Sequence, residues 1–137
     1  LYRADSPQKL VAAQEQHWDG ALLRLARHFG VSFQPTFAIQ HQPQPQATLD
    51  RLAEVLEREQ LLTLTAMVSM TGLTGSGLLT LGFWHQLLDA EAVWAAAHVD
   101  EDFQISQWGE DEEAAARRAM RRVEFDTAVA VLEAMRA

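Results

Sequence analysis

Residues 60–88 read QLLTLTAMVSMTGLTGSGLLTLGFWHQLL, and the way this charge-free run divides decides the fold. Its length would suit a membrane span, which needs about 20 apolar residues. The segment Gly72-Leu-Thr-Gly-Ser-Gly77 interrupts its middle, however, and glycine clusters of this kind break helices. Each half then has the length of a buried core helix, and neither carries the basic flanks or aromatic belt of a spanning segment. The run is read as two helices at the centre of a globular bundle, apolar all round, with Ser76 capping the second.

Upstream, the sequence spells shorter amphipathic helices. Ser6-Pro7 reads as a cap followed by the first helical residue, opening a helix toward His17. Asp19 is placed to cap a second helix, Gly20 to Phe29, with Leu22, Leu25, Ala26 and Phe29 on one face and Gly30 as its stop. Residues 31–46, VSFQPTFAIQHQPQPQ, hold three of the four prolines and many glutamines. They read as an exposed connection with a short extended segment at Val31 to Phe33. Thr48 is expected to cap a third helix that buries Leu49, Leu52, Val55 and Leu56. No strand pattern is long enough to form a sheet alone.

Downstream, Asp89 to Ala97 (DAEAVWAAA) is a helix start, with Asp89 as cap and Glu91 facing the positive end of the dipole. Val93 and Trp94 point inward, and Ile105 and Trp108 continue an apolar stripe at helical spacing. Gly109 ends it, and a last helix runs from Asp111 to the region of Met135 with Met120, Val123, Val129 and Leu132 inward. This helix is acidic at Glu110 to Glu113 and basic at Arg117, Arg118, Arg121 and Arg122, the order its dipole favours. Between the helices lies DEDFQISQWGEDEE, residues 100–113, a tryptophan set between two acidic clusters. That combination suits a recognition surface better than a core or a plain solvated face.

Composition narrows the function classes. The chain has 137 residues, 48% of them apolar, enough for one domain with a core. A net charge of −8 argues against nucleic acid, which needs clustered Lys and Arg; the arginines are read as a solvated face paired with neighbouring acids. With no cysteine there is no disulfide frame, thiol nucleophile or Cys zinc site. The TGLTGSG segment lacks the Lys and the preceding strand of a phosphate loop. His17, His28, His41, His85 and His98 show no i, i+4 pairing for zinc, and no serine sits in a nucleophile elbow. No metal, cofactor or catalytic activity is expected.

The 101–113 segment resembles the signature of a known family. Glu101, Gln104, Ile105, Trp108, Gly109, Glu112 and Glu113 are similar to the motif of the chaperone that assembles the catalytic head of the F-type ATP synthase by holding its α subunit. LYRADSP at Leu1 to Pro7 resembles the family's Tyr-Arg segment, and LVAAQEQHWDG at Leu10 to Gly20 its Leu…Gln…Trp-Asp segment. Leu61 to Leu81, with Ser76 inside it, is similar to the family's central apolar stretch. Gly20 departs from the Pro that usually follows Trp-Asp in the family. The family also has a smaller α/β domain before the Tyr-Arg segment, so residues 1–137 are expected to be its C-terminal helical domain, a single domain.

These readings imply an all-α orthogonal bundle of about six helices. By resemblance, the protein binds the unassembled α subunit and masks its β-subunit interface until assembly. Glu101, Gln104, Trp108, Glu112 and Glu113 are the expected contact residues, with Trp108 anchoring the segment and Gln104 holding its shape. A monomer is expected, with no membrane insertion, in a bacterial cytoplasm or, in a eukaryote, the mitochondrial matrix. The other reading is a helical adaptor or regulatory module that takes a small ligand between its helices, lined by Met67, Met70, Trp84 and Trp94.

Overall fold

The computed structural model describes residues 1–37 and 39–137 and is predominantly helical, as the sequence predicts. The chain forms two compact units, residues 1–59 and 60–137.

In the first unit, strand β1 (Tyr2–Arg3) pairs in parallel with β2 (Thr36–Phe37), in register Tyr2 to Thr36 and Arg3 to Phe37. The strand thus falls later than the expected Val31 to Phe33. Helix α1 (Gln8–Gln14) follows Pro7, whose carbonyl accepts from the amides of Leu10 and Val11; Ser6 is not the cap. Asp19 does not cap a new helix either. A π-helical turn, Glu15–Asp19, carries α1 directly into α2 (Gly20–Phe29), and Asp19 is helical itself. Its carboxylate instead meets Arg3 at 2.7 Å, while the Arg3 guanidinium lies over Trp18. Ala21, Leu25 and Phe29 form the buried face of α2, close to the expected stripe.

The glutamine-rich connection is tied rather than merely solvated. The Gln44 amide accepts from the Gln34 N–H at 2.9 Å and donates to the Gln34 carbonyl at 2.8 Å, imitating a strand partner. Helix α3 (Gln46–Glu57) starts directly after Pro45. Thr48, expected as its cap, is buried in its first turn and donates its hydroxyl to the Ser32 carbonyl at 2.6 Å. That bond turns the first turn of α3 toward the connection, so Val55 is buried and Leu49 is left exposed.

In the second unit the apolar run divides as its glycines require. Helix α4 (Leu61–Thr74) stops at Gly75, whose φ of 71° is a left-handed conformation open to glycine. Ser76 caps α5 (Gly77–Trp84) by accepting from the Leu79 amide. Helix α5 is almost wholly buried, but α4 is not: it buries Thr63, Ala66, Met67 and Met70 and leaves Leu61, Leu62 and Val68 in solvent. Among the described residues no helix is long and apolar enough to cross a membrane.

Asp89 caps α6 (Ala90–Ala97) through the Ala92 amide, and Val93 and Trp94 point inward as expected. The stretch to Trp108 is two helices rather than one, because the chain bends at His98 before α7 (Val99–Trp108). The long α8 (Glu112–Arg136) packs along α4. Its inward residues are Phe125, Ala128 and Leu132, whereas Met120 and Val123, expected inside, face solvent. Leu132 is inward as expected, and Arg118, Arg121 and Arg122 also turn inward, to meet carboxylates of α6 and α7. At the C-terminal end Arg136 lies over Phe83 and Trp84 and donates to the Phe83 carbonyl, fastening α8 to α5.

Two glycines give opposite expectations. Gly72 lies in α4 with nothing near its missing side chain, so Gly72→Ala should stabilise the protein by about 0.5–1 kcal/mol. At Gly82 a Cβ would sit 2.7 Å from a Leu88 methyl and 3.1 Å from its Cγ. Gly82→Ala should therefore cost about 1 kcal/mol, since crowding a packed helix outweighs the propensity gain. Urea melts of the two variants against the wild type decide both.

Candidate functional site

The 100–113 segment folds into a helix end, a turn and a helix start, and these enclose a groove. Helix α7 ends at Trp108, and Gly109 reverses the chain with φ of 85° and ψ of 171°, a backbone shape reserved for glycine. Asp111 then caps α8 by accepting from the Glu113 amide at 3.1 Å. The first turns of α8 come back against the last turns of α7. Between them lies a groove of about 200 Å³, with Ile105, Ala114 and Ala115 on its apolar walls and Trp108, Glu110 and Asp111 at its edge.

Three of the five expected contact residues, Glu101, Gln104 and Trp108, line this groove. Glu112 and Glu113 do not; they sit exposed in the first turn of α8, where Glu113 pairs with Arg117 one turn on. Trp108 is not the buried anchor the stripe predicted. It is 83% exposed, because the turn at Gly109 carries the end of α7 away from the core. Gln104 is exposed as well, and Ile105 is half-buried beneath it.

Glu101 has a different part to play. Its carboxylate accepts from Arg121 at 3.2 Å and lies 3.9 Å from Arg118 and 3.8 Å from the His98 ring. Arg118 in turn donates to Asp102 at 2.5 Å. Arg122 binds Glu91 of α6 as a fork and Asp126 on its own helix at 2.8 Å. The Arg122 guanidinium also lies over the Trp94 ring, 5.2 Å from its centre, and that of Arg118 at 6.0 Å. These pairs hold α8 to α6 and α7 and so fix the groove's walls. Glu101 is thus tied into the arginine network between α7 and α8, and Trp108 stands in solvent.

Burial holds the His98 imidazole below its ordinary range. Its bond to the Trp94 carbonyl and the Glu101 charge oppose that shift, while Arg118 and Arg121 add to it. Glu91 is held below the usual carboxylate range by its bond to Arg122. Among the described residues no group of three His, Asp or Glu is arranged to hold a metal. Met67, Met70 and Trp94, weighed above as a ligand lining, are core residues. The groove itself is smaller than the roughly 300–1,000 Å³ of ordinary ligand pockets.

The chain is thus all-α and sets an exposed tryptophan beside an acidic-edged groove. No family model matches the chain. Solved structures define its kin. It is 39% identical to Atu1473 from Agrobacterium tumefaciens, a candidate chaperone, with a TM-score of 0.92 over 98% of this chain and 50% of that one. It is 31% identical to Atp12 from Paracoccus denitrificans, with a TM-score of 0.91 over 96% of this chain and 57% of that one. A substituted form of the Paracoccus protein matches equally well, at 30% identity and a TM-score of 0.91. The resemblance to the ATP synthase assembly chaperone family, represented here by Atp12, therefore holds in sequence and fold along nearly the whole chain. The chain spans about half the length of these relatives.

Sequence reading missed Glu110, Asp111, Ala114, Ala115 and Arg118 as groove residues. The stop at Gly109 was the available signal, since a tight reversal returns the next helix start against the last helix end. The pairing of Glu101 with arginines 17 and 20 residues away had no local signature.

Removing Glu101 and removing Trp108 should have different effects on stability. Glu101→Gln should cost about 1 kcal/mol by loosening Arg118 and Arg121, whereas Trp108→Ala should change stability by less than about 0.5 kcal/mol. Chemical denaturation of each variant measures this directly. His98 adds a pH dependence of known sign. The unfolded chain takes up its proton near its ordinary value of about 6.5, before the folded one does, so stability falls as pH drops through that value and below. Melting temperature should decline between about pH 7.5 and about pH 5.5, and His98→Gln should flatten that decline.

Proposed function

We propose that this chain is the helical domain of an assembly chaperone that binds the unassembled α subunit of the F-type ATP synthase catalytic head. It masks the surface that will later meet a β subunit. The observation that carries the reading is Trp108, 83% exposed at the edge of a groove bordered by Glu110 and Asp111. A large aromatic kept in solvent by a glycine turn gains nothing for the fold, but it can bury a large area against a partner. The likeness to Atp12, an ATP synthase assembly factor, supports an ATP synthase subunit as the client.

The mechanism is stoichiometric masking without chemistry. A lone subunit exposes apolar interface that drives aggregation. The groove takes an apolar side chain from that interface beside Trp108. Glu110, Asp111, Glu112 and Glu113 supply acceptors for basic or polar groups around it. Release follows when the β subunit competes for the same client surface.

Co-expression with an ATP synthase α subunit, with and without the β subunit, tests this by pull-down. The lone α subunit should be retained, and the β subunit should displace it. Trp108→Ala should weaken retention by about tenfold or more, the loss of one aromatic anchor. Glu112→Gln with Glu113→Gln should weaken it less and mainly at low salt. Equal retention of wild type and Trp108→Ala would rule the groove out as the client site.

A further inference from the structure

The outer face of α8 lies outside the groove and carries a pattern of its own. Around a helix turning about 100° per residue, Phe125, Ala128 and Leu132 mark the buried side. Directly opposite, Ala116, Ala119, Met120, Val123, Thr127, Ala130 and Ala134 fall on one stripe, and all seven are exposed. Met120 is 68% exposed and Val123 67%. The stripe runs about 27 Å at about 1.5 Å per residue and contains no charge, although the solvent side of a surface helix is ordinarily its charged side. The charges of α8 lie elsewhere on its circumference. Arg118, Arg121 and Arg122 are drawn inward to carboxylates of α6 and α7.

The borders of the stripe are also uneven. Glu112 heads it, Glu113, Arg117 and Glu124 flank one side, and Asp126 and Glu133 flank the other, all exposed. Glu113 pairs with Arg117 and Asp126 with Arg122, which leaves Glu112, Glu124 and Glu133 to keep the rim negative. A second copy of the chain would set one negative rim against another, which like-charge repulsion disfavours. An anionic membrane surface is disfavoured on the same ground. Small side chains at four of the seven positions let another helix approach closely, within the 8–10 Å typical of packed helices.

We propose that this stripe is a helix-docking surface, and that its occupant is an amphipathic helix of a partner protein with an apolar face flanked by Lys or Arg. The apolar face packs against Met120 and Val123, and the basic flanks pair with Glu112, Glu124 and Glu133. The proposal does not depend on the identity of the client bound at the groove.

The full 137-residue chain, isotope-labelled, is titrated with two synthetic helical peptides that share one Leu/Ala face, one flanked by Lys and the other by Glu. The Lys-flanked peptide should shift amide signals along residues 116–134 and bind at least about tenfold more tightly than the Glu-flanked one, less so in high salt. Ala119→Glu with Val123→Glu, both at exposed positions, should abolish that binding while leaving helicity and melting unchanged. Equal binding of the two peptides overturns the proposal, as do signal shifts confined to the Trp108 groove. Sedimentation of the chain alone supplies the remaining arm. A dimer that the double variant dissolves would show that a second copy covers the stripe and would also overturn the proposal.

Discussion

Phe125 against Trp94 is the contact on which the rest of the 60–137 unit depends. Phe125 is fully buried, and its ring centre lies 5.1 Å from that of Trp94, which sits between α6 and α8. Two arginines, Arg118 and Arg122, lie over the same indole and reach past it to Asp102 and Glu91. Apolar burial and charge pairing thus share one hinge point. The aromatic pair sets how α8 is rotated, and the guanidinium pairs keep that rotation from slipping. Once α8 is fixed, its first turn is fixed too, and with it the wall of the groove.

The same rotation explains the two unusual surfaces. With Arg118, Arg121 and Arg122 turned inward, the central stripe of the outer face of α8 carries no charge, and the helix's other charged residues flank it. With Gly109 reversing the chain, the end of α7 cannot return to the core, and Trp108 is left in solvent. Neither feature helps this chain fold. An exposed tryptophan and an uncharged apolar stripe are features of the kind of surface that another protein covers.

Much of the helical architecture was legible because its signals are local. Gly75 and Ser76 divide the apolar run, Asp89 caps α6, Gly30 ends α2 and Gly109 ends α7, each by its own backbone chemistry. Misreadings came where a longer-range partner competed for the same residue. Asp19 looks like a cap, but Arg3 takes its carboxylate and the helix runs through. Thr48 looks like a cap, but the Ser32 carbonyl takes its hydroxyl. The break at His98 was hidden because the apolar spacing continues across it.

The sequence by itself determined the helical class, most helix ends, the kinship and the segment in which the groove lies. These depend on periodicity, caps and glycine conformation, which act over a few residues. Only the tertiary structure decided which face of α8 looks inward and that Glu101 meets Arg118 and Arg121. Each of these is a choice between two apolar faces or two acceptors of similar local quality. The facing of α8 and the partners of Glu101 are settled by side chains 16 to 31 residues away, whose positions no local pattern encodes.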